Sequence, residues 1–136
     1  MVIDHIGIVV RSLENGIDRW ERMFGYRRSS DIVTNTRQKV RVVFMSKESS
    51  IPVKLVEPTG EDSSVSFFAR KGGGLHHLCF RCDKLETQIP ILVEKGARCI
   101  VQPEPGEAFE NNKIAFLFDG SNLNFELIDA TAPKHD

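Results

Sequence analysis

Apolar positions change their period several times along this chain, and each change marks an element. Residues 3–10 run Ile-Asp-His-Ile-Gly-Ile-Val-Val, a β-branched stretch that predicts a strand. Past Ser12 the spacing becomes three and four, with Leu13, Ile17, Trp20 and Phe24 on one stripe and Gly25 after them. That pattern predicts an amphipathic helix, capped by a hydroxyl at its start and stopped by a glycine. Three strand-like runs follow, near 26–34, 38–46 and 52–57. The succession then recurs, with a strand at 76–82, a helix within about 85–95, and strands near 97–102, 113–118 and 123–129. Pro90 fits that helix only within a first turn, where amide donors have no intrahelical partner anyway. Between the two halves, TGEDSSVSFFARKGGG (59–74) reads as a short helix and a glycine hinge, with Phe67 and Phe68 as core anchors.

The recurrence extends to the residues themselves. Asp4-His5-Ile6-Gly7-Ile8-Val9 returns as His76-His77-Leu78-Cys79-Phe80-Arg81, 72 positions later. Leu13-Glu14 returns as Leu85-Glu86, and Val42-Val43-Phe44-Met45 as Ile114-Ala115-Phe116-Leu117, at the same offset of 72. Lys54-Leu55-Val56-Glu57-Pro58 likewise matches Glu126-Leu127-Ile128-Asp129-Ala130. Few of these pairs are identities, but the offset is constant. The reading is a single α+β domain over 1–136, built from two βαβββ modules (about 1–58 and 75–130) joined by linker 59–74.

Composition narrows the function classes. The 136 residues are 40% hydrophobic and 27% charged, an ordinary globular balance. A net charge of −1 gives no reason to expect nucleic acid or an anionic membrane as partner. The first residues, MVIDHIGIVV, lack the basic stretch of a signal peptide, and no apolar run approaches the roughly 20 residues of a membrane helix. Of three cysteines, Cys79 and Cys82 form a C-x-x-C. In a strand these two point to opposite faces, and no second pair completes a zinc site. Reduced thiols in a cytoplasmic protein are the expectation.

Strand alternation then sorts the polar residues. His5, Gly7 and Val9 share a face, opposite Ile6, Ile8 and Val10, which suit packing under the helix. His77 falls with Cys79 and Arg81, whereas His76 falls with Leu78 and Phe80 and reads as a packing or rim residue. If a pseudo-twofold relates the modules, equivalent positions meet, and His5 faces His77. Asn124, Glu126 and Ile128 share a face of the last strand, and Glu126 is a carboxylate inside an otherwise apolar run. Its repeat mate is Lys54. Two imidazoles and a carboxylate on three strands suit a divalent metal with positions left open. A solvated face with satisfied histidines explains the same residues, and spacing alone leaves both readings standing.

Four segments in order resemble the vicinal oxygen chelate superfamily: DHIGIVVRSLENGI, VKLVEPTGEDSSV, GGLHHLCFRCDKLE and NKIAFLFDGSNLNFELI. The superfamily includes glyoxalase I, methylmalonyl-CoA epimerase, fosfomycin-resistance and bleomycin-binding proteins, and extradiol dioxygenases. The chain is most similar to the methylmalonyl-CoA epimerase and lactoylglutathione lyase-like members. The resemblance implies a curved mixed sheet around a central cleft, and a homodimer. It implies a divalent metal (Zn, Co, Ni, Mn or Fe) on His5, His77 and Glu126, polarising a small carbonyl or acyl-CoA substrate in a lyase or isomerase reaction. It implies Glu126 as the base; Lys54, the repeat mate of Glu126, is a second acid/base candidate if burial and the metal depress its pKa. The family's fourth ligand, usually Gln or Glu, falls on Lys54, and a glutamate used by the epimerases falls on Val42. Two alternatives follow: a non-catalytic small-molecule-binding protein in which Lys54 and Glu126 replace the metal, and a two-His-one-Glu iron dioxygenase.

Overall fold

β1 (Val2–Val9) leads into α1 (Leu13–Phe24), then β2 (Arg27–Arg28), β3 (Val33–Asn35), β4 (Val40–Ser46) and β5 (Val53–Pro58). After α2 (Ser66–Arg70) come β6 (Gly74–Cys82), α3 (Leu85–Glu94), β7 (Arg98–Pro105), β8 (Lys113–Phe118) and β9 (Asn124–Asp129). This computed structural model describes residues 1–131, so the last five residues of the expected domain lie outside the described residues. The nine strands form one open mixed sheet in the order β2-β4-β5-β1-β6-β9-β8-β7, with β3 paired to β4. β1 runs antiparallel to β6, and each lies parallel to the last long strand of its own half, β5 or β9.

Alternation along the strands divides the core. Val43 and Met45 of β4 join Leu13, Val53 and Leu55 under α1, with Ile8, Val10, Ile17 and Trp20 against them. Val40 and Val42 of the same strand point the other way, to Val9, Val56 and Val65. On the second half Leu85 and Ile89 of α3 pack on Cys82, Ala115, Leu117, Phe125 and Leu127. Each large aliphatic side chain removed from water here contributes about 1.5–3 kcal/mol. The Ser12 hydroxyl accepts from the Asn15 amide and Gly25 closes α1 at φ 72°, as its spacing predicts.

Three expectations are corrected. The run at 26–34 is two short strands, β2 and β3, separated by residues outside any ladder. Pro90 is the sixth residue of α3, well past its first turn. Pro90 and Glu86, whose carbonyl loses its amide partner, are both on the exposed face, while Leu85 and Ile89 hold the helix against the core. Phe67 is 63% exposed; only Phe68 of the pair packs against the core. Beyond them Gly72, Gly73 and Gly74 all take positive φ, and a Cβ on Gly73 would stand 2.3 Å from the Val9 carbonyl oxygen.

Candidate active site at the centre of the sheet

Two rows of residues across the sheet build the site. In one row Phe44, Lys54, Gly7, His77 and Asn124 are ladder partners in turn, on β4, β5, β1, β6 and β9. In the other, His5 pairs with Cys79, Cys79 with Glu126, and Glu126 with Phe116. Gly7 sits between two large polar neighbours for a steric reason. A Cβ there would lie 2.1–2.4 Å from three atoms of the His77 ring. The missing side chain is the space that His77 occupies.

Both central strands are irregular at matching places. The β1–β6 ladder slips between Ile3 and His5, and again where Gly7 pairs with His77 but Ile8 with Leu75. The extra residues are Asp4 and His76, which are repeat mates. A bulge swings its extra residue toward the face of its neighbour. Asp4 is therefore buried beside His5, its Oδ2 2.7 Å from His5 Nδ1. His76 Nδ1 lies 2.9 Å from His77 Nδ1, and His76 lines the same cleft as His77. Strict alternation put His76 on the opposite face, and the bulge overturns that. Asp4 had no signal in the sequence pattern beyond being the repeat mate of His76.

Asp4 fixes how His5 presents itself. A carboxylate only accepts, so the Asp4 contact places a proton on His5 Nδ1. Arg81 Nη1 donates to the other Asp4 oxygen at 3.0 Å. His5 Nε2 then faces Glu126 Oε1 at 3.3 Å, and His77 Nε2 is 3.5 Å from the same oxygen. Lys54 Nζ donates to it at 2.9 Å, as a buried ion pair. The second oxygen, Glu126 Oε2, has no hydrogen-bond partner among the described residues. The four predicted residues, His5, Lys54, His77 and Glu126, are thus brought together.

The apolar surroundings govern their charge. Burial lowers the pKa of His77 to about 3, more than the neighbouring Glu126 raises it, so the imidazole is neutral. Burial pushes Glu126 up, but the Lys54 ammonium beside it outweighs that and holds it well below the usual carboxylate range. Phe109 closes over the cluster, stacked 5.8 Å from His5 and 5.4 Å from Lys54 Nζ. Around these groups is a cleft of about 240 Å³, lined by Val40, Val42, Val56 and Ile114 beside the polar floor. That suits a small acyl group rather than a nucleotide. Val42 occupies the wall where the resemblance placed a glutamate, and Arg41 turns away to Glu14 and Glu57.

His5, His77 and Glu126 offer donor atoms within 4.8 Å of one another. Ligands about 2.1 Å from a tetrahedral ion stand about 3.4 Å apart, close to the two separations found. The next neighbour, however, is an ammonium, which has no lone pair to give and repels a dication. With Lys54 in place, the four residues fit an ion pair and do not fit a divalent ion.

The fold and its central cluster define a member of a known class. Residues 4–116 match the Glyoxalase/Bleomycin resistance protein/Dioxygenase superfamily, and the chain belongs to it. Among proteins of known sequence it is 33% identical over 135 residues to uncharacterized protein YqjC of Bacillus subtilis, covering 98% of this chain and 94% of that one. It is 26% identical over 129 residues to the mitochondrial methylmalonyl-CoA epimerase of Dictyostelium discoideum, covering 93% and 75%. Among solved structures, a Streptomyces coelicolor methylmalonyl-CoA epimerase variant in complex with 2-nitronate-propionyl-CoA superposes with a TM-score of 0.84 at 27% identity, covering 97% and 99%. Members of this superfamily usually bind a divalent metal, and the ligand-type groups for one are present here. No helix among the described residues is long and apolar enough to cross a membrane.

Proposed function

We propose that the chain is an isomerase-type enzyme that moves the α-proton of a small acyl-CoA thioester. The observation that carries this is the buried Lys54–Glu126 pair on the floor of an apolar, acyl-sized cleft, with Glu126 Oε2 unbonded. An ammonium has three N–H bonds. One is spent on Glu126 Oε1, which leaves others for the thioester oxygen as it becomes an enolate. Glu126 Oε2 takes the α-proton, and a proton delivered back to the same carbon regenerates the thioester and the carboxylate. As the developing enolate draws the ammonium, the ion pair loosens and the carboxylate gains basicity. His77, neutral and seated over Gly7, lines the cleft beside this pair. The relative captured with 2-nitronate-propionyl-CoA, whose nitronate is a planar anion beside a thioester, supports an acyl-CoA of that kind as the substrate class.

A second reading is favoured by Val42. With no carboxylate on that wall, the Lys54–Glu126 pair serves as an internal salt bridge and the cleft binds a small molecule without turning it over. Incubation with methylmalonyl-CoA or propionyl-CoA in D2O, followed by proton NMR at the α-carbon, separates the two. Exchange that slows about 100-fold or more in Glu126→Gln fits the enzyme. Binding without exchange fits the second reading.

A further inference from the structure

We propose that Lys54 takes the cation position that other members of the superfamily give to a divalent ion, and that this site excludes such an ion. The convergence of acceptors shows why some cation is needed there. Asp4 places the His5 proton on Nδ1, so the lone pair of Nε2 faces the Glu126 carboxylate at 3.3 Å. Two acceptors at that distance repel unless positive charge lies beside them. Lys54 supplies that charge, 2.9 Å from the shared oxygen.

Its placement is built into the fold. Lys54 pairs with Gly7 on one side and Phe44 on the other, and is only 5% exposed. Phe109 covers the ammonium, its ring centroid 5.4 Å from Nζ. A divalent ion added to this set would leave a net charge of plus two under an aromatic lid, against the neutral pair present now. In a buried site that repulsion far exceeds what a third ligand returns. Where Proposed function holds, the oxygen of the acyl substrate therefore meets an ammonium rather than a metal. The exclusion of the ion does not depend on that reading.

The full chain, purified without chelator, is analysed for metal by mass spectrometry and titrated with Co2+ while ligand-field absorption is recorded. The wild type is expected to carry well under one equivalent and to develop no bands. Lys54→Gln, which trades the cation for an amide oxygen, is expected to bind one Co2+ at least about 100-fold more tightly, with bands of a His/carboxylate site. A wild type holding one tight equivalent overturns the proposal. So does a folded Lys54→Gln that binds Co2+ no better than the wild type, with circular dichroism showing that it is folded. Should the variant not fold, the wild-type measurement decides alone. The failure of this proposal and of the functional one differ: α-proton exchange abolished by EDTA and restored by Co2+ sinks the cation replacement only. A metal-free protein with no exchange sinks the acyl-CoA reading only.

Discussion

Gly7 illustrates how a residue with no side chain can govern a site. Glycine inside a strand weakens it, so its place between Lys54 and His77 calls for a reason. The reason is the His77 ring, which occupies the volume a Cβ would fill. Gly7→Ala is therefore predicted to displace His77 and to lower stability by about 2–4 kcal/mol in urea titration. A loss within about 0.5 kcal/mol, the ordinary surface value, would show that the ring moves aside freely. At this scale the sequence was informative where the repeat applied. The 72-residue offset singled out His77 over His76 as the mate of His5, and it paired Lys54 with Glu126, which the structure places in contact. It was silent on Asp4, because a residue that orients a ligand carries no spacing of its own.

At the scale of elements, periodicity located the long strands and both long helices but missed their irregularities. β8 and β9 fall where their apolar runs are, while the bulges at Asp4 and His76 break the period of two on which face assignments rest. A bulge is set by pairing with a neighbouring strand, which one strand's sequence does not encode. The position of Pro90 was likewise decided by tertiary packing: burying Leu85 and Ile89 outweighs one missing backbone bond on the wet face. Pro90→Ala restores that bond and is predicted to stabilise the protein by about 1–2 kcal/mol, with the denaturant slope unchanged. A destabilised variant would mean that the proline fits α3 without strain.

For the whole molecule, two similar halves set side by side place their chemistry at the seam, where β1 meets β6 in the middle of a single sheet. Burying that chemistry makes the fold sensitive to acid. His77 titrates at about 3 when folded and near 6.5 when unfolded, so the unfolded chain binds more protons between those values. Its contribution is present above about pH 6.5 and is lost as pH falls toward 3, at up to roughly 1.4 kcal/mol per unit. Glu126, also held low, adds a loss of the same sign once pH drops below its ordinary range. Stability measured between pH 6.5 and 5 should fall in the wild type and flatten in His77→Gln. Equal slopes would assign the acid sensitivity to other groups.

The central claim is that Lys54 and Glu126 act together on the α-proton of an acyl thioester. The most direct test is α-proton exchange in D2O with metal-stripped protein and an acyl-CoA such as methylmalonyl-CoA. The account predicts exchange that persists in EDTA and is lost in both Glu126→Gln and Lys54→Met. Exchange that survives in Glu126→Gln at the wild-type rate, or no exchange by the wild type at all, would contradict it.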